Sequence, residues 1–284
     1  MIFIPNQIIK LLKNIRLYNF FKKLYKNFFE KFLSLEVQTI ENYIIKNFTD
    51  KKFGGIIDIG AHLGDKTKVI LKFYPKDNYY LFEPFNNYYQ ILKEKFKNKD
   101  NIRIFQKGVS DKIDEKSFYT SDNIIHAEGF SLYKTKYLEN EEKIKVINLD
   151  SINFQEKIKL IKIDAEGHEP EILIGASNLI LKDKPILLIE TSDHTHKQIN
   201  EILIKLNYIL LIYEYYIIKD KLIDYRALGD LTKLNTDKVI SSNRFEKKFY
   251  TIDKINENFQ LLTNSFAIPE TLKGSVTFKI ANLS

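Results

Sequence analysis

Beyond Lys52 the apolar positions of the chain fall into two alternating spacings. GGIIDIG (54–60), NYYLFEP (78–84), NIRIFQKGVS (101–110), LIKID (160–164), PILLIE (185–190) and YILLIYEYYII (208–218) are short apolar runs of strand length. KTKVILKF (66–73), NNYYQILKEKF (86–96), EILIGASNLILK (171–182) and HKQINEILIKL (196–206) repeat their apolar residues at three- and four-residue steps, which predicts helices. Strand and helix in alternation predict an α/β domain with a mainly parallel, doubly wound sheet covered on both faces. Ligands of such sheets bind outside the carboxyl ends of the strands. A loop-rich section separates the third and fourth strands, with hairpin signals in KSFYT (116–120) and KIKVINL (143–149). The last forty residues are weakly patterned, but SFAIPE (265–270) reads as a final strand.

Residues 6–48 follow a different rule. Ile8, Leu12, Ile15, then Phe21, Leu24, Phe28 and Phe32 recur at helical steps, with Lys10, Lys13, Lys22, Lys23 and Lys26 mostly between them. The wide aromatic stripe predicts a helix, or two, packed on the main domain or on a second copy of the chain in a homodimer. Peripheral contact with an anionic membrane is the competing reading. No apolar run is long enough to span a bilayer, and the apolar core and cleavage site of a secretory signal are missing. The pattern therefore divides the chain into an N-terminal helical extension, 1–50, and one domain, 51–284.

Composition narrows the chemistry. At 44% hydrophobic and 29% charged residues, the 284-residue chain is globular in type. It has no cysteine, which excludes disulfides, thiol nucleophiles and thiolate zinc sites and suits a cytoplasmic location. The formal charge of +7 invites a nucleic-acid reading, but arginine occurs only at 16, 103, 226 and 244. Readers of bases and phosphates favour the arginine fork over lysine, so no specific nucleic-acid partner is predicted.

The strand ends carry the candidate chemistry. DIGAHLGDKT (58–67) follows the first strand and leads into a helix, with Gly60 and Gly64 able to turn tightly against a ligand. A dinucleotide loop needs G-x-G-x-x-G, and His62 and Asp65 stand where its second and third glycines belong. A P-loop needs a closing G-K-[ST], which is missing too. S-adenosylmethionine, which has no phosphate, fits better. Asp58 and the amides of 60–64 suit its zwitterionic tail, and Glu83, ending the second strand, suits its ribose.

DIGAHLGDKT, FEP (82–84), LDS (149–151) and IKIDAEGHEPEILIGA (161–176) together resemble the FkbM-type family of S-adenosylmethionine-dependent methyltransferases. The resemblance covers about residues 55–195 and extends to FAIP (266–269). It implies a Rossmann-like class I methyltransferase fold, with a seven-stranded sheet whose final strand runs antiparallel. It further implies that Asp58, Gly60, Ala61, His62 and Gly64 form the cofactor loop and that Glu83, followed by Pro84, meets the ribose. Gly108, Val109, Ser110 and Asp111 would then lie near the adenine. Members mostly act as O-methyltransferases, often on sugars or other secondary metabolites.

LIKIDAEGHEPEIL (160–173) ends the fourth strand in a crowd of titratable groups. Methylating a hydroxyl requires in-line positioning and loss of one proton. Asp164, Glu166 and His168 are the candidate catalytic residues, and His168 is the one whose ordinary pKa lies near neutrality. Glu169 and Glu171 read as acids that favour the positive end of the next helix. Asp164, Glu166 and Glu190 offer oxygen ligands for magnesium, but nothing in their spacing demands a divalent metal and none is predicted. His194 and His196 read as a solvated loop rather than a zinc site. His126, Ser131 and Tyr133 are weaker candidates for acceptor contacts. The expected activity is transfer of a methyl group to a hydroxyl of a carbohydrate or related small metabolite. The alternatives are a macromolecular acceptor, RNA or protein, and a non-catalytic cofactor-binding protein of the same fold.

Overall fold

In the computed structural model the described residues are 42, 45–46, 48–120, 130–131, 140–192, 194–212, 215–218, 221–224, 246–247, 250–251 and 262–272. The predicted helix over 6–48 lies almost wholly outside them, as do His126 and Tyr133. In the first half of the domain the order is β1 (Gly55–Ile59), α1 (Asp65–Phe73), β2 (Asn78–Phe82), α2 (Asn86–Lys95) and β3 (Ile102–Phe105). An insertion follows, built from β4 (Gly108–Val109), β5 (Asp114–Thr120), β6 (Phe130–Ser131) and β7 (Asn140–Ile147). The second half continues with β8 (Ile158–Ile163), α3 (Glu169–Ile174), α4 (Ser177–Asp183), β9 (Ile186–Ser192), α5 (His196–Lys205) and β10 (Tyr208–Ile212). Beyond it come β11 (Tyr215–Ile218), β12 (Lys221–Asp224), β13 (Glu246–Lys247), β14 (Tyr250–Thr251) and β15 (Leu262–Pro269).

The main sheet runs β14-β10-β15-β9-β8-β1-β2-β3. β3, β2, β1, β8 and β9 are parallel neighbours, and β15 enters antiparallel between β9 and β10. This is the expected seven-stranded sheet with its antiparallel final strand, and the two-residue β14 adds an eighth at the edge. The chain winds outward from β1 to β3, then returns to β8 on the other side of β1. That reversal opens a crevice at the carboxyl ends of β1 and β8, where ligands of doubly wound sheets bind.

Side chains of a strand alternate between faces, and both faces here are apolar. Ile57, Ile59, Tyr80, Phe82, Ile161, Ile163, Leu187 and Ile189 form one core with Ile172, Leu173 and Ile180 of α3 and α4 and Ile199 and Leu203 of α5. Ile56, Tyr79, Leu81, Leu160, Leu188 and Phe266 form the other with Ile70 of α1 and Leu92 of α2. Ile45, fully buried, joins this second core, so the packing reaches back before residue 51.

Three predicted elements are divided. The run 101–110 is two strands: β3 pairs with β2, whereas β4 pairs with β7 in a separate four-stranded sheet. The run 208–218 divides likewise into β10 in the main sheet and β11 in a three-stranded sheet. An apolar run reports burial without revealing where a strand changes sheets. The helix predicted over 171–182 breaks at Gly175, whose α-carbon lies so close to Ser110 that a Cβ would overlap the Ser110 carbonyl. The Asp150 amide donates to the Gly175 carbonyl at 2.9 Å, and the Asp150 carboxylate accepts the amides of Asn178 and Leu179 at 3.0 and 2.9 Å. α4 thus restarts under a cap supplied from 28 residues away in sequence.

Candidate active site

β1 and β8 are in register at Ile59 and Ile163, and β8 and β9 at Ile163 and Ile189. The next residue of each strand therefore arrives at one level: Gly60, Asp164 and Glu190. The loop after β1 bends through left-handed backbone at Gly60 (φ 67°), His62 (φ 50°) and Gly64 (φ 72°). Gly60 is required twice, by that φ and because a Cβ would overlap the Asp164 carbonyl. His62 holds a conformation that disfavours non-glycine residues, and two contacts fix it there. Its amide donates to Glu83 Oε2 at 2.8 Å, and its ring meets Tyr88 edge-on at 4.0 Å. The backbone here does at His62 what a glycine does in a dinucleotide loop.

Glu83 is buried at the end of β2. Besides His62 it accepts the amide of Phe85 at 2.9 Å, so the bend through Pro84 and the loop after β1 share one carboxylate. Burial raises its pKa above the ordinary value against the pull of those two amides. Asp58 is also buried, and it faces inward. It accepts a hydrogen bond from Thr67 Oγ1 and lies 3.2 Å from Lys162 Nζ. Asp58 thus ties the end of β1, from which the expected cofactor loop leaves, to Thr67 of α1 and to Lys162. Lys162, which no sequence motif singles out, donates to the carbonyl of Gly60 at 2.6 Å and lies 3.3 Å from Asp164 Oδ2. Burial opposes its charge, but Asp164 and Asp58 together outweigh burial and raise its pKa above the lysine norm.

Asp164, Glu166 and Glu190 bring one ligand oxygen each within 4.8 Å of one another, the one such group among the described residues. These are the oxygens that could hold a divalent cation or share a proton. Burial first, then Asp164, Glu166 and Glu169, push the Glu190 carboxyl well above the carboxylate range. Glu169 does more than favour a helix end. It is buried, and its Oε1 accepts the amides of Ala165 and Gly167 at 3.0 and 3.1 Å, closing the turn that carries Asp164 and Glu166. Burial lifts its pKa to about 7.

The candidate base His168 is turned away from solvent. It is buried, with Nε2 3.0 Å from Ser110 Oγ and Nδ1 3.4 Å from Glu171. Burial, then Lys116, lower its pKa to about 4. It ties α3 to the insertion. Ser110 is correspondingly turned inward, hydrogen-bonded to His168 and to Asp111 Oδ1 (2.8 Å), and Gly108 and Val109 are buried in β4 against β7. His196 Nδ1 lies 3.0 Å from the Ser192 carbonyl at the start of α5, and His194 is exposed.

Residues 58–210 match the family described as "Methyltransferase FkbM domain". The chain belongs to the FkbM methyltransferase family. The fold is accordingly the Rossmann-like class I type, and the methyl donor that the family implies is S-adenosylmethionine. Similar solved structures include an FkbM methyltransferase from Methylobacillus flagellatus KT, 20% identical, covering 56% of this chain and 39% of that one at a TM-score of 0.40. A precorrin-6y C5,15-methyltransferase from Geobacter metallireducens GS-15 is 10% identical over 82% of this chain and 88% of its own, with a TM-score of 0.39. An S-adenosylmethionine-dependent O-methyltransferase from Thermotoga maritima is 11% identical over 80% and 64%, with a TM-score of 0.38. No curated protein matches the chain.

The residues present suit that donor. An ionised carboxylate has about four acceptor positions, so Glu83 keeps capacity for ribose hydroxyls beyond its two amides. His62 Nε2 is buried without a protein hydrogen-bond partner beside the same loop. Asp164 and its neighbours supply the negative charge that favours a sulfonium.

Proposed function

We propose that the protein is an S-adenosylmethionine-dependent O-methyltransferase acting on a hydroxyl of a carbohydrate or related small metabolite. The observation that supports this most is the meeting of Asp164 and Glu166, which follow the end of β8, with Glu190 of the neighbouring β9. The bound donor supplies an electrophilic methyl group on a positively charged sulfur. The protein must then hold an alcohol oxygen in line and remove its proton. A carboxyl whose proton affinity is raised by burial and by neighbouring acids is a stronger base than an isolated carboxylate in the fraction that has lost its own proton, so turnover through Glu190 should rise with pH. Asp164 and Glu166 complete a set of acceptors for the several hydroxyls of a sugar. Asp164 and Glu166 in this crevice also disfavour the phosphates of a nucleic acid, which supports a small acceptor over RNA.

The test supplies S-adenosylmethionine with a panel of sugars, glycosides and other hydroxylated metabolites, with RNA and protein fractions in parallel. S-adenosylhomocysteine release and product mass are followed. A methylated small alcohol, lost in Glu190→Gln or Asp164→Asn while S-adenosylhomocysteine still binds, is the expected result. Methyl transfer confined to RNA or protein would overturn the proposal.

A further inference from the structure

We propose that Lys162 is the positioning residue of this site, a single buried ammonium that locks the loop after β1 to the crevice acid after β8. This rests on the cofactor reading above.

Four acceptors surround its Nζ: Asp58 Oδ1 at 3.2 Å, Asp164 Oδ2 at 3.3 Å, and the carbonyls of Ile59 and Gly60 at 3.2 and 2.6 Å. An ammonium has three protons, so its donors are fully engaged. Three of the four acceptors belong to β1 and its loop, and the fourth is the acid that ends β8. Asp58 passes the connection on to Thr67 in α1. The series Thr67, Asp58, Lys162, Asp164 therefore joins the helix behind the loop, the loop itself and the crevice. The Gly60 carbonyl, turned aside by its left-handed φ, has the ammonium as its partner. Without Lys162, Asp58 would be a buried carboxylate with no counter-charge beside Asp164, and the two acids would push the loop and the β8 end apart.

The same strand carries its own control. Lys159 is equally buried, pairs with Asp77 at 2.5 Å and donates to the Lys52 carbonyl at 2.9 Å, but near the opposite end of β8. A purely structural role for Lys162 predicts that losing either lysine has the same consequences. A positioning role predicts that only loss of Lys162 reaches the cofactor loop.

The experiment measures S-adenosylhomocysteine affinity by calorimetry and urea unfolding of the ligand-free protein for wild type, Lys162→Met, Lys162→Arg and Lys159→Met. Both methionine variants should lose stability. Lys162→Met should also weaken S-adenosylhomocysteine about thirtyfold, the scale of one lost charge-assisted tie. Lys159→Met should stay within about threefold of wild type, and Lys162→Arg, which keeps charge and donors, should recover most of the affinity. Near-wild-type binding by Lys162→Met, or equal weakening in Lys159→Met, overturns the assignment. If Lys162→Met does not fold, Asp58→Asn combined with Lys162→Met removes both charges, and tight binding by that protein overturns it equally. Failure of wild type to bind S-adenosylhomocysteine would instead strike the cofactor reading itself.

Discussion

Glu190→Gln perturbs the crevice with almost no change of shape, since glutamine resembles the protonated acid. In the folded protein, burial and the acids Asp164, Glu166 and Glu169 push the Glu190 pKa far above its ordinary value of 4.5. The unfolded chain releases the proton near that ordinary value. Over the pH window that begins there and extends upward past neutrality, the native state holds one proton that the unfolded state has lost. Wild-type stability must therefore fall as pH rises through the window, by up to about 1.4 kcal/mol per pH unit for this one group. Glutamine carries no such proton. The variant should match wild type near pH 4.5 and gain on it steadily toward pH 8, by roughly 2–4 °C in melting temperature for each kcal/mol. Thermal and urea unfolding of the ligand-free proteins across pH 4.5–8 measure the difference directly. A difference that stays flat with pH, or that narrows toward pH 8, would refute the claim that Glu190 is held protonated by its neighbours.

The remaining expectations concern the loop, the cap and the buried histidine. Gly60→Ala combines a left-handed φ with an overlap on the Asp164 carbonyl, and should destabilise by more than about 2 kcal/mol in urea while weakening S-adenosylhomocysteine in calorimetry. Asp150→Ala uncaps α4 and should cost about 1–2 kcal/mol, with cofactor affinity unchanged. His168 has a folded pKa near 4, below its unfolded value, so the stability held above pH 6.5 is lost as pH falls toward 4. His168→Gln should remove much of that acid-induced loss, seen as a flatter melting profile between pH 6.5 and 4. Turnover on an acceptor, once found, should keep its pH profile in that variant; a lost acid limb would return His168 to the reaction.

Much of the architecture was legible along the chain because period-two and helical spacing are local records of burial. The alternation around Ile56 and Ile57, or Leu187 and Leu188, requires a sheet covered on both faces whatever its strand order. Gly60 and Gly64 marked the loop because side chains there would meet strain or neighbours, and FEP and IKIDAEG marked the strand ends. The sequence also named Asp164, Glu166 and Glu190 as oxygen-rich candidates, but their separation of up to 26 residues carried no information on distance. The tertiary structure decided that, through the register of β8 on β9. It also decided the places where the chain departs from its local signal. Gly175 breaks a helix because Ser110, far away in sequence, occupies the space of a side chain. His168 turns inward because Ser110 and Glu171 receive it. Lys162 looked like one lysine among many. A buried charge takes its meaning from its partners, and those partners, Asp58 and the Gly60 carbonyl, come from a strand about a hundred residues earlier.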